Sequence, residues 1–280
     1  MKKFPLIVSL LVIFCCLSAA LMAQQSASTS KQPQPAAKHV PQAKTHPEFN
    51  DYNAAYAIAG GAASEKAADD FAVKYPESEL KSYLYSKAMH EYQNENNPEK
   101  MLSVGEKVLR LDPDNSIALV LTATVLADSL SDTDIDRPSK IARVKTNATH
   151  ALDTLDSGFT PPANATAEQV KAYKDTLQSM AHSALGIVAL KTADDSGAER
   201  ELKLSADLNQ HQPDPYIWYH LALAQDHQKK YPEALASVNQ ALQVIGANAD
   251  LGKLAKSEQT RLLTLTGGAS SPEKLPAQPK

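Results

Sequence analysis

Apolar residues recur every three or four positions through residues 47–266, and this helical period constrains the fold more than any other feature. The clearest example is "YIWYHLALAQDHQKKYPEALASVNQALQVI", residues 216–245. Its second half carries one apolar stripe of six residues: Ala234, Leu235, Val238, Ala241, Leu242 and Ile245. Tyr231-Pro232 separates the two halves, because proline favours a helix start and disfavours helix in the residue before it. The pattern predicts two short helices joined by a tight break.

The segment "LRLDPDNSIALVLTATVLA", residues 109–127, contains a second break of this kind. Pro113 disfavours helix at Asp112, and Asp114 or Asn115 can cap the helix that follows. Apolar segments lie on both sides of this turn, so helix and turn alternate along the chain. A pair of such short helices cannot bury its apolar stripe alone, and stacked neighbours must bury it jointly.

These segments resemble the tetratricopeptide repeat, a family of 34-residue helix–turn–helix units. With Pro215 as the first residue of a unit, seven side chains match the positions that the family uses: Trp218, Leu221, Ala222, Tyr231, Ala234, Val238 and Ala241. Gln225 and Gly246 depart from the pattern, because an aromatic residue and a proline are usual there. The resemblance covers most of 47–248 and is strongest in the second and last units.

Earlier units follow the same register. In the second unit the packing positions fall on Tyr85, Met89, Tyr92, Met101 and Val108, and Pro113 closes the unit. In the fourth they fall on Leu185, Gly186, Ala198 and Leu202. The predicted units are 47–79, 82–115, 116–157, 166–212 and 215–248, with a capping helix over 250–266. The resemblance implies an all-α, right-handed superhelix (α-solenoid) of about five helix pairs plus the cap, whose first helices line a concave groove.

The N-terminus, "MKKFPLIVSLLVIFCCLSAALMAQQ", has the basic start, apolar stretch and small Ala23 that are typical of a secretory signal peptide over residues 1–23. Leu21 is unusual at the third position before the cut, and the apolar stretch approaches the length of about 20 residues that spans a bilayer. An uncleaved membrane anchor is therefore the alternative. Cys15 and Cys16, the two cysteines of the chain, lie in this segment, so the processed protein would have neither a disulfide nor a cysteine zinc site.

Charge separates the ends from the body of the chain. Residues 24–46 carry three lysines and no acid in a Pro-, Gln- and Ala-rich stretch, which predicts a disordered linker, and 267–280 predicts a disordered tail. Residues 47–266 contain 21 Lys plus Arg and 31 Asp plus Glu, a net charge of −10. This acidic body argues against nucleic-acid binding, which depends on phosphate contacts. Membrane contact is expected only through an uncleaved N-terminal segment.

Aromatic and basic residues on the predicted first helices are the candidate partner contacts. They are Phe49, Tyr83, Lys87 and His90 in the first two units and Tyr216, Tyr219, His220 and His227 in the last. Lys87 stands where family members that bind acidic chain termini use a lysine, but His90 stands where their asparagine falls. These positions favour a groove that accepts a peptide.

No metal, cofactor or catalytic site is predicted. His220 and His227 share a helix face but lie about 10 Å apart along it, at a rise of about 1.5 Å per residue, too far to share one ion. The calcium-loop-like "DTDIDR", residues 132–137, ends in Arg137 where the loop needs glycine. Adjacent aspartates, as at 194–195, diverge by about 100° on a helix and cannot act together as acid and base. The "GG" at 60–61 lacks the context of a phosphate loop and is predicted to end the first helix.

The resemblance implies a scaffold or adaptor, not an enzyme, that binds protein or peptide partners in its groove. With the signal, it implies export to the periplasm or outside the cell. The segment containing Phe71 and Tyr75-Pro76 is similar to repeats in envelope-assembly proteins of Gram-negative bacteria, which suggests a role in assembly or maintenance of the cell envelope. The alternatives are an adaptor anchored in the inner membrane and an enzyme or small-ligand binder built in the groove.

Overall fold

The computed structural model describes residues 41–159, 164–246 and 248–267, and within these ranges the chain forms eleven helices and no strand. In chain order they are α1 (His46–Tyr56), α2 (Gly61–Lys74), α3 (Lys81–Asn94), α4 (Pro98–Leu111), α5 (Ser116–Ser129), α6 (Arg137–Gly158), α7 (Ala167–Lys191), α8 (Asp195–Leu208), α9 (Pro215–His227), α10 (Tyr231–Val244) and α11 (Ala249–Leu265). The predicted all-α class is confirmed.

Short polar side chains begin several of these helices, as the sequence signals indicated. The Asn115 side chain accepts a hydrogen bond from the Ala118 amide at 3.0 Å and so caps α5. Thr166 and Gln169 form a reciprocal capping box at the start of α7. The cap of α1 is Thr45, so the last residues of the predicted linker belong to the first helix.

One turn geometry recurs between the first and second helices of three pairs. Its middle residue has a left-handed backbone, with φ of 53° at Asn96, 58° at Ala193 and 61° at Lys229. A 2.9 Å hydrogen bond from the following amide to the carbonyl five residues earlier closes each turn: Asn97 to Tyr92, Asp194 to Ala189, and Lys230 to Gln225. In addition, α11 begins 34 residues after α9. These features are tetratricopeptide-like at the level of the backbone.

The described chain forms two compact units, residues up to Lys100 (unit 1) and residues from Met101 (unit 2), with the boundary inside α4. In unit 1, α2 packs on α3 and α1 contacts both. The prediction that the Gly60-Gly61 pair ends the first helix is wrong. Gly60, with φ of 88°, caps α2, and Gly61 is the first residue of that helix. A Cβ atom at Gly61 would lie 2.3 Å from the buried Tyr92 ring, so only glycine allows this approach.

In unit 2 each helix from α5 to α11 packs on the next, and the first helices of successive pairs also meet, α5 on α7 and α7 on α9. This consecutive packing is that of an α-solenoid. Gly186 on α7 allows α8 to approach closely, because a Cβ atom there would lie 2.6 Å from the Leu202 side chain. Ser179 and Ser205 add a buried reciprocal contact in which each hydroxyl donates to the other residue's carbonyl at 2.8 Å. The sequence pattern did not indicate this pair.

The residues predicted to pack between helices differ in burial. Seven are buried: Tyr85, Tyr92, Gly186, Leu221, Ala222, Ala234 and Ala241. Leu185, Trp218 and Tyr231 are partly buried against neighbouring apolar clusters. Pro113 is exposed in the turn between α4 and α5, where its effect on the backbone does not require burial.

Within the described residues no helix is long and apolar enough to cross a membrane. The predicted signal or anchor over 1–23 lies outside the described residues, as does the tail beyond residue 267.

Candidate functional site

The surface formed by the first helices α5, α7 and α9 of unit 2 carries a group of polar residues close to Lys191, the last residue of α7. The Lys191 ammonium donates to the carbonyls of Ala127, Asp128 and Leu130 at 2.8, 3.1 and 2.9 Å. These carbonyls lie in the last turn of α5 and at its C-cap Leu130, where carbonyls lack the usual helical partner, although that of Ala127 also accepts from the Leu130 amide at 3.4 Å. All three ammonium donors are therefore used to cap α5.

Asp128 lies beside this cap. Its side chain is open to water, yet the surrounding protein is dense enough that desolvation raises the carboxyl pKa to about 6. The positive charge of Lys191 opposes this rise, and the negative charge of Asp214 adds to it. No described residue donates a hydrogen bond to the Asp128 carboxylate.

His220, on α9, is the second polar group without a partner. Its Nδ1 atom is out of contact with water and makes no hydrogen bond within the described ranges. Desolvation, together with the positive charge of Lys191, lowers the pKa of the ring to about 4. The carbonyl of Tyr216, one turn earlier, has a small opposite effect without reaching hydrogen-bond geometry. The imidazole is thus neutral at pH 7.

Asp214 completes the group by capping α9, where its Oδ1 atom accepts from the Tyr216 amide at 2.8 Å. Burial raises the pKa of this carboxyl, and its backbone hydrogen bonds partly offset the rise. We refer to Asp128, Lys191, Asp214 and His220 as the unit 2 polar cluster. It contains two carboxylates, of which that of Asp128 is open to water, and one ammonium whose three donors are already used.

The other contact residues predicted in the last unit have internal partners. The Tyr216 hydroxyl accepts from the Asn248 side chain at 2.8 Å. Tyr219 packs against the apolar cluster that includes α10 and α11. His227 lies 2.9 Å from Asp195 on α8 through its Nδ1 atom. Of these four residues, only His220 joins the unit 2 polar cluster.

In unit 1 the predicted contact residue Lys87 is directed inward. Its ammonium donates to the Ile58 carbonyl, to the Ser64 hydroxyl at 3.0 Å and to Glu91 at 3.1 Å. The side chain is only 14% exposed. A carboxylate of a partner would have to displace one of these acceptors, so the charge of Lys87 is engaged in joining α3 to the start of α2.

The remaining predicted contact residues of unit 1 differ in their exposure and hydrogen-bond partners. Phe49 on α1 is half-exposed. Tyr83 is partly buried on α3. The Nδ1 atom of His90 lies 3.3 Å from the Gln93 side chain, and burial lowers the pKa of this histidine. On the same helix, Ser86 Oγ and Gln93 Nε2 are out of contact with water and make no hydrogen bond within the described ranges.

The carboxylates of α3 also serve the fold of unit 1. Glu91 accepts from the Gly60 amide at 3.2 Å and Glu95 from the Gly61 amide at 2.6 Å. These bonds satisfy amides at the start of α2 that have no partner in their own helix. The Tyr92 hydroxyl donates to Glu65 at 2.7 Å, and burial with this carboxylate raises the pKa of Tyr92 to about 12.

No three histidine, cysteine, aspartate or glutamate residues in the described part of the chain are placed to hold a metal ion. The half-buried His182 pairs with Glu201 at 2.8 Å, a contact between α7 and α8.

No protein-family model matches this sequence, and no curated protein matches it. Among solved structures, the chain is similar to a thermophilic TPR protein of Thermus thermophilus. The sequence identity is 16%, the TM-score is 0.45, and the likeness covers 76% of this chain and 99% of that chain. The recurring turns and the consecutive packing of helix pairs in this chain define an all-α helical-repeat fold.

Proposed function

We propose that the protein is a scaffold that binds a segment of another protein on the α5–α7–α9 surface of unit 2. The observation that carries this proposal is the run of first helices α5, α7 and α9, which contact one another in order and on which the His220 Nδ1 atom is out of contact with water and has no partner among the described residues. Leaving a buried polar atom unpaired costs about 1–3 kcal/mol, and a ligand that pairs it recovers part of that cost. Successive first helices supply the contiguous surface that an extended segment needs.

The same proposal includes the location. The signal-like residues 1–23 support export to the periplasm or outside the cell, and the resemblance of the Phe71 to Pro76 region supports a role at the cell envelope. Mass spectrometry of the native N-terminus tests the first part. A chain that begins at Gln24 supports a released protein, and an intact Met1 end supports the membrane-anchored alternative instead.

Cross-linking in the source cell tests the binding role. A photoreactive residue at position 223, on α9 of unit 2, should cross-link to a defined protein, and the cross-link should decrease in the Asp128→Asn variant. The matched control carries the photoreactive residue at position 153, an exposed position on α6. Equal cross-linking from both positions, or none from position 223, would contradict the proposed binding surface.

A further inference from the structure

The aromatic residues of α1 in unit 1 share one side of the helix and are partly open to water. Phe49 and Tyr56, seven positions apart, are 49% and 40% exposed, and Tyr52 falls on the same side between them. The rings of Tyr52 and Tyr56 are 5.7 Å apart. We refer to these three residues as the α1 aromatic face. Exposed apolar side chains that are grouped in this way are typical of a binding surface.

The surroundings of the α1 aromatic face determine what it can bind. Tyr52 is held from below, because its ring meets the edge of the buried Phe71 ring at 6.3 Å. The Lys87 ammonium lies 6.0 Å from the centre of the Tyr56 ring, so a further cation at this ring would meet a like charge. Proline rings are neutral, and proline-rich segments in the polyproline II conformation bind surfaces lined by aromatic side chains. The face therefore fits a proline-rich segment.

A segment of this composition leads into α1. Residues 31–40, "KQPQPAAKHV", contain two prolines and lie outside the described residues, and the chain reaches the Thr45 cap of α1 five positions later. Ten residues in the polyproline II conformation extend about 31 Å, at about 3.1 Å per residue, whereas α1 is about 16 Å long. The segment can therefore reach the far end of α1, and its attachment keeps it at a high effective concentration beside the helix.

Charge complementarity supports the same occupant. Residues 24–46 carry three lysines and no acid, whereas residues 47–100 contain 10 acidic and five basic residues, a net charge of −5. The segment thus brings positive charge to an acidic unit. Packing of a second copy of unit 1 on this face would instead place two acidic surfaces together.

We propose that residues 31–40 bind back on the α1 aromatic face. Pro33 and Pro35 pack against its rings, and the lysines of the segment face acidic side chains of unit 1. The contact lies within unit 1 and does not rest on the binding role proposed for unit 2. It removes exposed aromatic surface from water, and an external proline-rich segment has to displace it in order to bind there.

Cross-linking within the chain tests this contact. A photoreactive residue replaces Gln34, between the two prolines, in the full chain produced in the source cell, and mass spectrometry of the digested protein maps the products. We expect a cross-link within one chain to residues 49–56. Replacing both Pro33 and Pro35 by alanine should decrease it about fivefold, as expected when anchor residues are lost. The matched control replaces two prolines of the tail, Pro272→Ala with Pro276→Ala, and should leave the cross-link unchanged.

A second pair of variants tests the face itself. Phe49→Ser removes a half-exposed ring from the α1 aromatic face and should also decrease the cross-link about fivefold. Val73→Ser is its control, because it removes an apolar side chain that is 84% exposed on α2, and the cross-link should not change. Circular dichroism shows whether both variants keep their helices. The proline variants change no described residue, so they decide the question even if Phe49→Ser unfolds.

The products distinguish the possible occupants. A cross-link to residues 49–56 that decreases in the proline variant and not in its tail control supports the proposal. A cross-link confined to other residues, none within the chain, or equal decreases in a variant and its control would overturn it. A product with twice the mass of the chain would show that the segment of a second copy occupies the face, which also overturns a contact within one chain.

Discussion

Lys87 in unit 1 and Asp128 in unit 2 are both charged residues on first helices, but they use their charges in opposite ways. Lys87 is largely buried and donates to three acceptors, which hold α3 against the beginning of α2. Asp128 is open to water and accepts no hydrogen bond from the described residues. The comparison teaches that a charge on a first helix can be engaged by the fold, as at Lys87, or remain open to water, as at Asp128.

The difference originates in how helices begin and end in the two units. In unit 1, α2 begins at Gly60-Gly61, and the carboxylates of Glu91 and Glu95 satisfy the exposed amides. In unit 2, Lys191 satisfies the carbonyls at the end of α5, and this use of its ammonium leaves Asp128 without a donor among the described residues. Charges in unit 1 therefore stabilise the fold, whereas part of the charge in unit 2 remains available.

The largest expected effect is in unit 1. Gly61→Ala would place a Cβ atom 2.3 Å from the Tyr92 ring and 2.8 Å from Glu95, so it should disturb the carboxylate cap of α2. We expect it to lower the free energy of unfolding by about 3 kcal/mol, measured by chemical denaturation. Gly252→Ala is the control, because the nearest atom to its Cβ would be 3.8 Å away, and it should be neutral or stabilising. Similar destabilisation by both changes would contradict the close approach at Gly61.

Lys87→Met tests whether this charge serves the fold. It removes the donor to Ile58, Ser64 and Glu91, and we expect a loss of about 2 kcal/mol of unfolding free energy because buried polar groups lose their partner. The cross-link from position 223 should not change. A variant of unchanged stability and lost cross-linking would reverse the roles assigned to Lys87 and to the α5–α7–α9 surface.

Asp128→Asn should increase the free energy of unfolding, and this gain should depend on pH. The pKa of this carboxyl is raised from 3.8 to about 6 in the folded chain. The ionised group therefore disfavours folding most strongly above about pH 6, and this effect is absent below about pH 4. The variant should therefore gain about 1 kcal/mol near neutral pH, a value reduced because the group is exposed. Thermal melting across this pH range should show that the gain in stability becomes smaller as the pH falls. A loss of stability at neutral pH would show that Asp128 already has a stabilising partner.

The smallest expected effect concerns the recurring turn, which occurs in both units. Ala193→Gly should stabilise the protein by about 0.5 kcal/mol, because alanine is strained at a φ of 58° and glycine is not. Asn96→Gly, at the corresponding turn of unit 1, should give less, since asparagine tolerates this conformation. Urea denaturation of the two variants measures the difference. A larger gain at Asn96 would contradict the equivalence of the turns.

The helices were largely predictable because apolar period and breaking residues are local signals. Asn115 and Asp214 cap helices where the pattern places a start, and Tyr231-Pro232 begins α10. The Gly60-Gly61 pair was assigned to the wrong end of a helix, because glycine occurs at both ends and its role here depends on carboxylates more than thirty positions away. Left-handed Ala193 and Lys229 carry no sequence signal at all, since neither residue favours that backbone.

The candidate site was predictable only in part. His220 was identified from its place on a first helix, but Asp128 and Lys191 were not, because they are 63 positions apart and meet only when α5 and α7 pack. Lys87, which is predicted to contact a partner, has internal acceptors that lie on another helix and in the preceding turn. Position on a helix face can be deduced from sequence, whereas whether a polar group has found a partner depends on tertiary packing.

Backbone amide chemical shifts during titration with the partner segment identified by cross-linking test the central claim most directly. The largest changes are expected around Asp128, Lys191 and His220 on the α5–α7–α9 surface of unit 2, with little change around Tyr83, Lys87 and His90 on α3. Largest changes on α3, or changes spread evenly over both units, would contradict the assignment of partner binding to the unit 2 polar cluster.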